Sequence, residues 1–198
     1  MIQTRIKQGA QIISVAICIC LAWLLTLKAD NQPIISSNQI PPILRTKAPI
    51  RNWKYICIHH SATKQGSAAR FDIHHRKRGM ENGLAYHFVI GNGTLTKDGQ
   101  IEVGNRWIKQ LPGGHVKSDE LNKIAIGICL VGNFTQTEPS AKQLDALVNL
   151  VVKLIKTYNL KLENVVRHRD LGYSVCPGDC FPWQEVRYRI ERELENYE

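Results

Sequence analysis

The eight residues from Ile124 to Val131 (IAIGICLV) carry no charge and no polar side chain beyond one thiol. A run this short, rich in isoleucine, reads as a strand. Its side chains are apolar on both faces, so it needs cover on both and belongs in the middle of a layered sheet. The cover is legible downstream. Leu144, Leu147, Val148, Val151, Leu154, Ile155 and Tyr158 recur at intervals of three and four, which makes one apolar helix face. Thr137 is its expected N-cap, with Pro139 in the first turn. Trp183, Val186, Ile190, Leu194 and Tyr197 repeat the pattern in a terminal helix, and Glu185, Arg189 and Glu193 form i,i+4 pairs on its wet side. Trp53 to His60 (WKYICIHH) reads as a strand with Tyr55, Cys57 and His59 on one face and Ile56, Ile58 and His60 on the other. Leu84 to Ile90 (LAYHFVI) reads as another, followed by the turn-rich GNGTLTKDGQ. Ser67 to Arg78 is a predicted helix closed by Gly79. Strands interleaved with helices give an α/β class: a single domain with a central, mostly mixed β-sheet flanked by helices.

A hydrophobic segment precedes this domain. Arg5 and Lys7 stand before IISVAICICLAWLLTLK, and no charged residue lies between Lys7 and Lys28. A positive start followed by an apolar run is an export signal. Leu27 and Lys28 spoil the small-x-small pattern before Ala29, and the run approaches the roughly 20 residues that span a bilayer. Residues 1–29 are therefore expected to be a signal peptide or a membrane anchor, with the anchor favoured and the N-terminus cytoplasmic. Cys18 and Cys20 lie inside this run. Residues 30–50, with Pro33, Pro41, Pro42 and Pro49 among Ser, Asn and Gln, read as an extended linker. Residues 51–198 form the domain. The expected location is exported: periplasmic or extracytoplasmic, with anchoring in the cytoplasmic membrane if the segment stays uncleaved.

Composition narrows the partners only slightly. Of 198 residues, 43% are hydrophobic, which supports a proper core, and the net charge of +9 favours acidic partners without choosing among nucleic acid, anionic lipid and cell-wall polymer. No nucleic-acid motif accompanies the charge. Arg76, Lys77 and Arg78 read as a solvated helix end.

The chemistry-bearing stretch is RHRDLGYSVCPGDCFPW, Arg167 to Trp183. It fits a disulfide loop, a reactive thiol or part of a metal site. Cys57, Cys129, Cys176 and Cys180 are an even set outside the cytoplasm, which invites disulfides. Cys57 and Cys129 lie in apolar strands and also fit buried thiols. Cys176 and Cys180 are close enough in sequence to pair. Against this, a catalytic zinc site uses three protein ligands and leaves a fourth position open. His168 and Cys176 share one loop, and His59 ends a strand.

The blocks YICIHHSAT, GLAYHFVIGNG, GGHV, IAIGICLVGN and RHRDLGYSVCPGD occur in the order of one family. From about Trp53 to Trp183 the chain resembles the zinc-dependent N-acetylmuramoyl-L-alanine amidases of the type shared by phage T7 lysozyme and the peptidoglycan recognition proteins. The resemblance implies a Zn2+ cofactor held by His59, His168 and Cys176. It implies hydrolysis of the amide between N-acetylmuramic acid and L-alanine in bacterial peptidoglycan. It places the active-site tyrosine on Tyr86 and a second oxyanion donor on Ser174. His115 is expected to contact substrate or to support a ligand, His60 to line the wall of the groove, and Asp170 to orient the loop or His168. The expected partners are peptidoglycan and its muropeptides, and the membrane through the N-terminal segment if that segment is uncleaved, with no nucleic acid, the protein acting as a monomer. The chain departs from the family at Ser174, where active members carry lysine or threonine, and at Met80, where many carry an aromatic. The stretch from Arg78 to Ala85 is one residue longer. The alternative function is a non-catalytic peptidoglycan-binding module of the same fold. Such members typically lose the ligand cysteine, and retention of Cys176 favours the enzyme.

Overall fold

The computed structural model describes residues 40–196. The expected signal or anchor at residues 1–29, the start of the linker, and Tyr197 lie outside the described residues. Among the described residues no helix is long and apolar enough to cross a membrane.

Five strands form one mixed sheet: β1 (Tyr55–His60), β2 (Phe88–Ile90), β3 (Ile101–Val103), β4 (Ala125–Leu130) and β5 (Val165–Arg167), in the order β3-β2-β4-β1-β5. β4 takes the centre, as its unbroken apolar sequence demands. β1 runs parallel to both β4 and β5, β2 runs parallel to β4, and only the β2–β3 pair is antiparallel. The register sets Cys57 beside Gly127 and His59 beside Cys129.

The helices divide the two faces. Ile56 and Ile58 of β1 and Ile126, Ile128 and Leu130 of β4 share one cluster with α4 (Ala141–Tyr158) and α5 (Trp183–Glu195). On the opposite face Val89 and Cys129 pack with Phe71 of α1 (Ala68–Lys77), Leu84 and Tyr86. Two short helices, α2 (Asn105–Ile108) and α3 (Asp119–Ile124), lie between β3 and β4. α1 starts at Ser67, whose hydroxyl accepts the Arg70 N–H at 3.1 Å, and is followed by Gly79 at φ +87°, where a side chain would be strained.

Several sequence expectations change in detail. The N-cap of α4 is Ser140, not Thr137: the Ser140 hydroxyl accepts the Gln143 N–H and the Gln143 side chain returns to the Ser140 N–H. The Thr137 N–H is already bonded to Asn133 O in the preceding turn. The expected strand Leu84–Ile90 shortens to Phe88–Ile90. Side chains take the backbone groups a ladder would use: Leu84 N–H donates to Asp72, Ala85 N–H to His75 Nδ1, and Arg106 donates to Leu84 O. Arg189 pairs with Glu185 at 3.6 Å but reaches across to Asp145 of α4 at 2.5 Å, joining two helices in place of the expected Glu193 pair.

The second half of the expected linker is packed. Leu44 is fully buried, and its carbonyl accepts from Trp107 Nε1 at 3.3 Å and Tyr158 Oη at 3.4 Å. Lys47 N–H donates to Ile108 O at 2.9 Å. An anchor for the domain therefore begins by residue 44. Replacing Leu44 with alanine is expected to cost about 2–5 kcal/mol, the usual range for a fully buried leucine. Urea unfolding of the variant against the parent measures it, and a loss below about 0.5 kcal/mol would mean that this segment is only a tether.

Candidate metal centre

Parallel pairing builds the site. In the β1–β5 ladder Ile58 lies opposite Arg167, so the next residues, His59 and His168, leave the same sheet edge side by side. Their rings are 4.7 Å apart, centroid to centroid. This is the carboxyl end of the parallel strands, where ligands of such sheets bind.

Cys176 arrives on the returning loop. Arg169 N–H donates to Cys176 O at 3.0 Å, and Gly178 N–H to Val175 O at 2.8 Å. Gly178 sits at φ +104°, and a Cβ there would lie 2.2 Å from the Phe134 carbonyl. Only glycine lets the loop press against that backbone. The loop brings the Cys176 thiol to 3.7 Å from His59 Nδ1. One ligand atom each from His59, His168 and Cys176 fall within 4.8 Å of one another. Two nitrogens and a sulfur in a tetrahedral zinc shell stand about 3.6 Å apart for a nitrogen–sulfur pair, given bonds of about 2.0 and 2.3 Å. The donor set and its spacing fit zinc, and all four cysteines of the domain are free thiols, so no disulfide competes for Cys176.

The surroundings hold these groups neutral. Burial lowers His59 well below the usual imidazole range, helped by His115 and His168. Burial lowers His168 as well. The Cys176 thiol is pushed up to about 11 by burial, against the pull of the His60 N–H and of Arg169. That N–H donates to the Cys176 sulfur at 3.3 Å. Neutral imidazoles are ready ligands, and the thiol must release its proton when a cation arrives. Arg169 stands by with its guanidinium, held by Asp179 at 2.7 Å and by Val175 O, and its Nε is buried without a partner.

The other expected residues occupy distinct places. The half-buried Tyr86 ring lies 5.3 Å from His59. Burial, then Cys129 and Cys176, push its phenol well up, so it stays protonated. Ser174 Oγ accepts the Cys176 N–H at 3.1 Å and lies 3.4 Å from His168 Nδ1. His60 Nδ1 accepts the Phe134 N–H at 3.0 Å, and its ring lies 5.9 Å from that of Phe134. Asp170 accepts the Arg167 N–H at 2.8 Å and pairs with the Arg167 guanidinium, so it caps the turn that carries His168. His115, expected at the groove, is buried behind His59: its Nδ1 is 3.0 Å from His59 Nε2 and its Nε2 is 3.1 Å from Ala125 O.

Two features escape the sequence reading. His75 on α1 stands half-buried beside Tyr86, its ring 5.9 Å away and its Nδ1 accepting from Ala85 N–H. Gly127, a lone glycine in the apolar β4 run, makes room for His115: a Cβ there would fall 2.3 Å from the imidazole. A glycine inside a strand marks close approach, and that signal was available. Cys57, His59 and His115 form a second cluster of possible ligands. There, however, His59 and His115 already meet nitrogen to nitrogen at hydrogen-bond distance.

Comparison with known proteins gives a consistent picture. A family model described as N-acetylmuramoyl-L-alanine amidase matches residues 49–179. Peptidoglycan recognition protein 1 of Bos taurus is 30% identical over 68% of this chain and 70% of its own. The N-acetylmuramoyl-L-alanine amidase LysC from Clostridium intestinale is 30% identical, with a TM-score of 0.62 over 71% of this chain and 87% of its own. The peptidoglycan-recognition protein LE of Drosophila melanogaster, solved in complex with tracheal cytotoxin, a monomeric diaminopimelic acid-type peptidoglycan, is 25% identical, with a TM-score of 0.56 over 71% of this chain and 82% of its own.

The buried imidazoles predict a pH dependence for the metal-free protein. Burial keeps His59 and His87 well below the usual range and His115 at about 4. Unfolded imidazoles titrate near about 6.5. Between these values the unfolded chain binds more protons, so stability is present above about 6.5 and is lost as pH falls towards 4. Each such histidine contributes up to about 1.4 kcal/mol per pH unit in that window. Urea unfolding of chelator-treated protein at pH 7, 6 and 5 checks this, and equal stability at all three would contradict it.

Proposed function

This chain belongs to the N-acetylmuramoyl-L-alanine amidase family, and from that premise we propose that it hydrolyses the amide between the lactyl group of N-acetylmuramic acid and L-alanine in bacterial peptidoglycan. The observation that carries the reading is the convergence of His59, His168 and Cys176 at one sheet edge with zinc-like spacing. Zinc held by His59, His168 and Cys176 would supply a Lewis acid for the substrate carbonyl and would lower the pKa of an attacking water.

The chain's own groups do the rest. Tyr86, protonated and beside His59, donates to the oxyanion that develops on the substrate carbonyl. Ser174 accepts the Cys176 N–H and lies 3.4 Å from His168 Nδ1, and its hydroxyl is the second donor assigned to the oxyanion. It brings no positive charge, unlike the lysine found at this position in other members. The His60 N–H and the Arg169 guanidinium support negative charge on the Cys176 sulfur. Tyr173 and Val175 stand exposed on either side of Ser174 and offer apolar surface at the rim for the sugar and stem peptide. The net charge of +9 suits an anionic wall polymer. The proposed location is outside the cytoplasmic membrane, reached through the export segment at residues 1–29.

Zinc-loaded protein incubated with defined muropeptides, with products read by mass spectrometry, tests the proposal. Free stem peptide and intact sugar are expected, with loss on chelation and recovery with zinc. Tyr86→Phe is expected to lower kcat by about 10²-fold, the usual effect of losing one oxyanion donor. Intact muropeptide after exposure to folded, zinc-loaded protein would overturn the enzyme and leave a peptidoglycan-binding module of the same fold.

A further inference from the structure

His59 has two ring nitrogens facing different partners. Nδ1 looks towards the Cys176 sulfur at 3.7 Å, and Nε2 lies 3.0 Å from His115 Nδ1. The far nitrogen of His115, Nε2, lies 3.1 Å from the Ala125 carbonyl oxygen. A carbonyl oxygen can only accept. His115 Nε2 therefore carries a proton, and neutral His115 presents a lone pair at Nδ1. That lone pair needs a donor, and the group facing it is His59 Nε2. With the proton there, His59 Nδ1 is left with a lone pair pointing at the place where Cys176 and His168 converge. We propose that His115 is a positioning residue: it reads the Ala125 carbonyl and fixes His59 as the Nε2–H tautomer, so that Nδ1 is the metal-binding atom. The proposal deepens the zinc-site reading and rests on it for its functional meaning, but the proton assignment stands on the hydrogen-bond chain alone.

The fold is shaped to hold this relay. β4 is apolar throughout, yet it carries Gly127 where the imidazole lies; a Cβ there would sit 2.3 Å from His115 Cδ2, and one at Gly113 would sit 2.5 Å from it. Two glycines thus form the slot for one ring. Asn122 closes it: its Oδ1 accepts the His115 N–H at 3.0 Å and the Val116 N–H at 3.2 Å, and its Nδ2 donates to Val116 O at 2.8 Å. His115 has no freedom to turn its nitrogens over, since Ala125 and His59 occupy both ends. Groups that orient ligand imidazoles in this way typically change metal affinity by about 10–100-fold when lost.

The test uses the full chain and two variants. His115→Phe keeps a flat ring of similar volume and removes the acceptor. His115→Asn places an amide oxygen near the old Nδ1 and restores it. Nitrogen-15 NMR of the metal-free wild type is expected to find the His59 proton on Nε2, and His115→Phe is expected to release it to a mixture of tautomers. Zinc affinity, measured by competition with a chromophoric chelator, is expected to fall about 10–100-fold in His115→Phe and by clearly less in His115→Asn. A proton on His59 Nδ1 in the metal-free wild type would overturn the proposal. So would unchanged zinc affinity in a folded His115→Phe. A loss of affinity in Cys57→Ala as large as in His115→Phe would also overturn it, because it would mean that Cys57, His59 and His115 hold the metal themselves. If His115→Phe fails to fold, the wild-type tautomer and the asparagine variant decide. A wild type that carries the Nε2 proton but binds no zinc would confirm the proton relay and refute only the zinc reading.

Discussion

The parallel ladder between β1 and β5 is the constraint from which the site follows. It is only three residue pairs long, but it aligns two chain segments more than a hundred residues apart so that His59 and His168, the residues after its last pair, come out at the same edge. A parallel pair requires a crossover, and the crossover here contains α4, whose apolar face seals the side of the sheet opposite the site. The face towards the site is packed more thinly, by α1 and the irregular segment around Leu84 to Tyr86. The sheet thus has one side for stability and one side for chemistry.

Desolvation gives that chemistry its character. Histidines on the site side are held neutral and thiols are held protonated, because the interior penalises either charge. Arg169, anchored to the ligand loop itself, brings positive charge to the Cys176 thiol. Such a pocket holds ligands for a cation without a carboxylate to compensate it. A thiolate formed at Cys176 is the natural counter-charge, and the His60 N–H and Arg169 are placed to receive it. The Ala125 carbonyl, which can only accept, sets the direction of the His59–His115 relay.

Much of this was legible in the sequence. The β4 run, the periodicity of α4 and the strand that carries His59 each follow from local pattern. Five motif blocks in family order bring His59, His168 and Cys176 forward together. What escaped depends on contacts between distant residues. The segment from Leu84 to His87 has the composition of a strand, but the Leu84 and Ala85 N–H groups and the Leu84 carbonyl bond to the side chains of Asp72, His75 and Arg106. Leu44 sits among prolines and polar residues, and only Trp107 and Tyr158 reveal it as part of the core. Arg189 has two plausible acids on its own helix, and a third on α4 is the nearer one. The motif brings His115 to the site, as a substrate contact or a support for a ligand, but does not orient it, because its direction is set by a carbonyl at the start of β4. Gly127 carried a readable signal, and the partner it makes room for did not.

The central claim is that two imidazoles and one thiolate hold a single zinc ion. X-ray absorption at the zinc edge of the loaded protein tests it most directly. The account predicts one zinc per chain with one sulfur at about 2.3 Å, two imidazole nitrogens at about 2.0–2.1 Å and a light atom completing the shell. A spectrum with no sulfur, or with two, would contradict it.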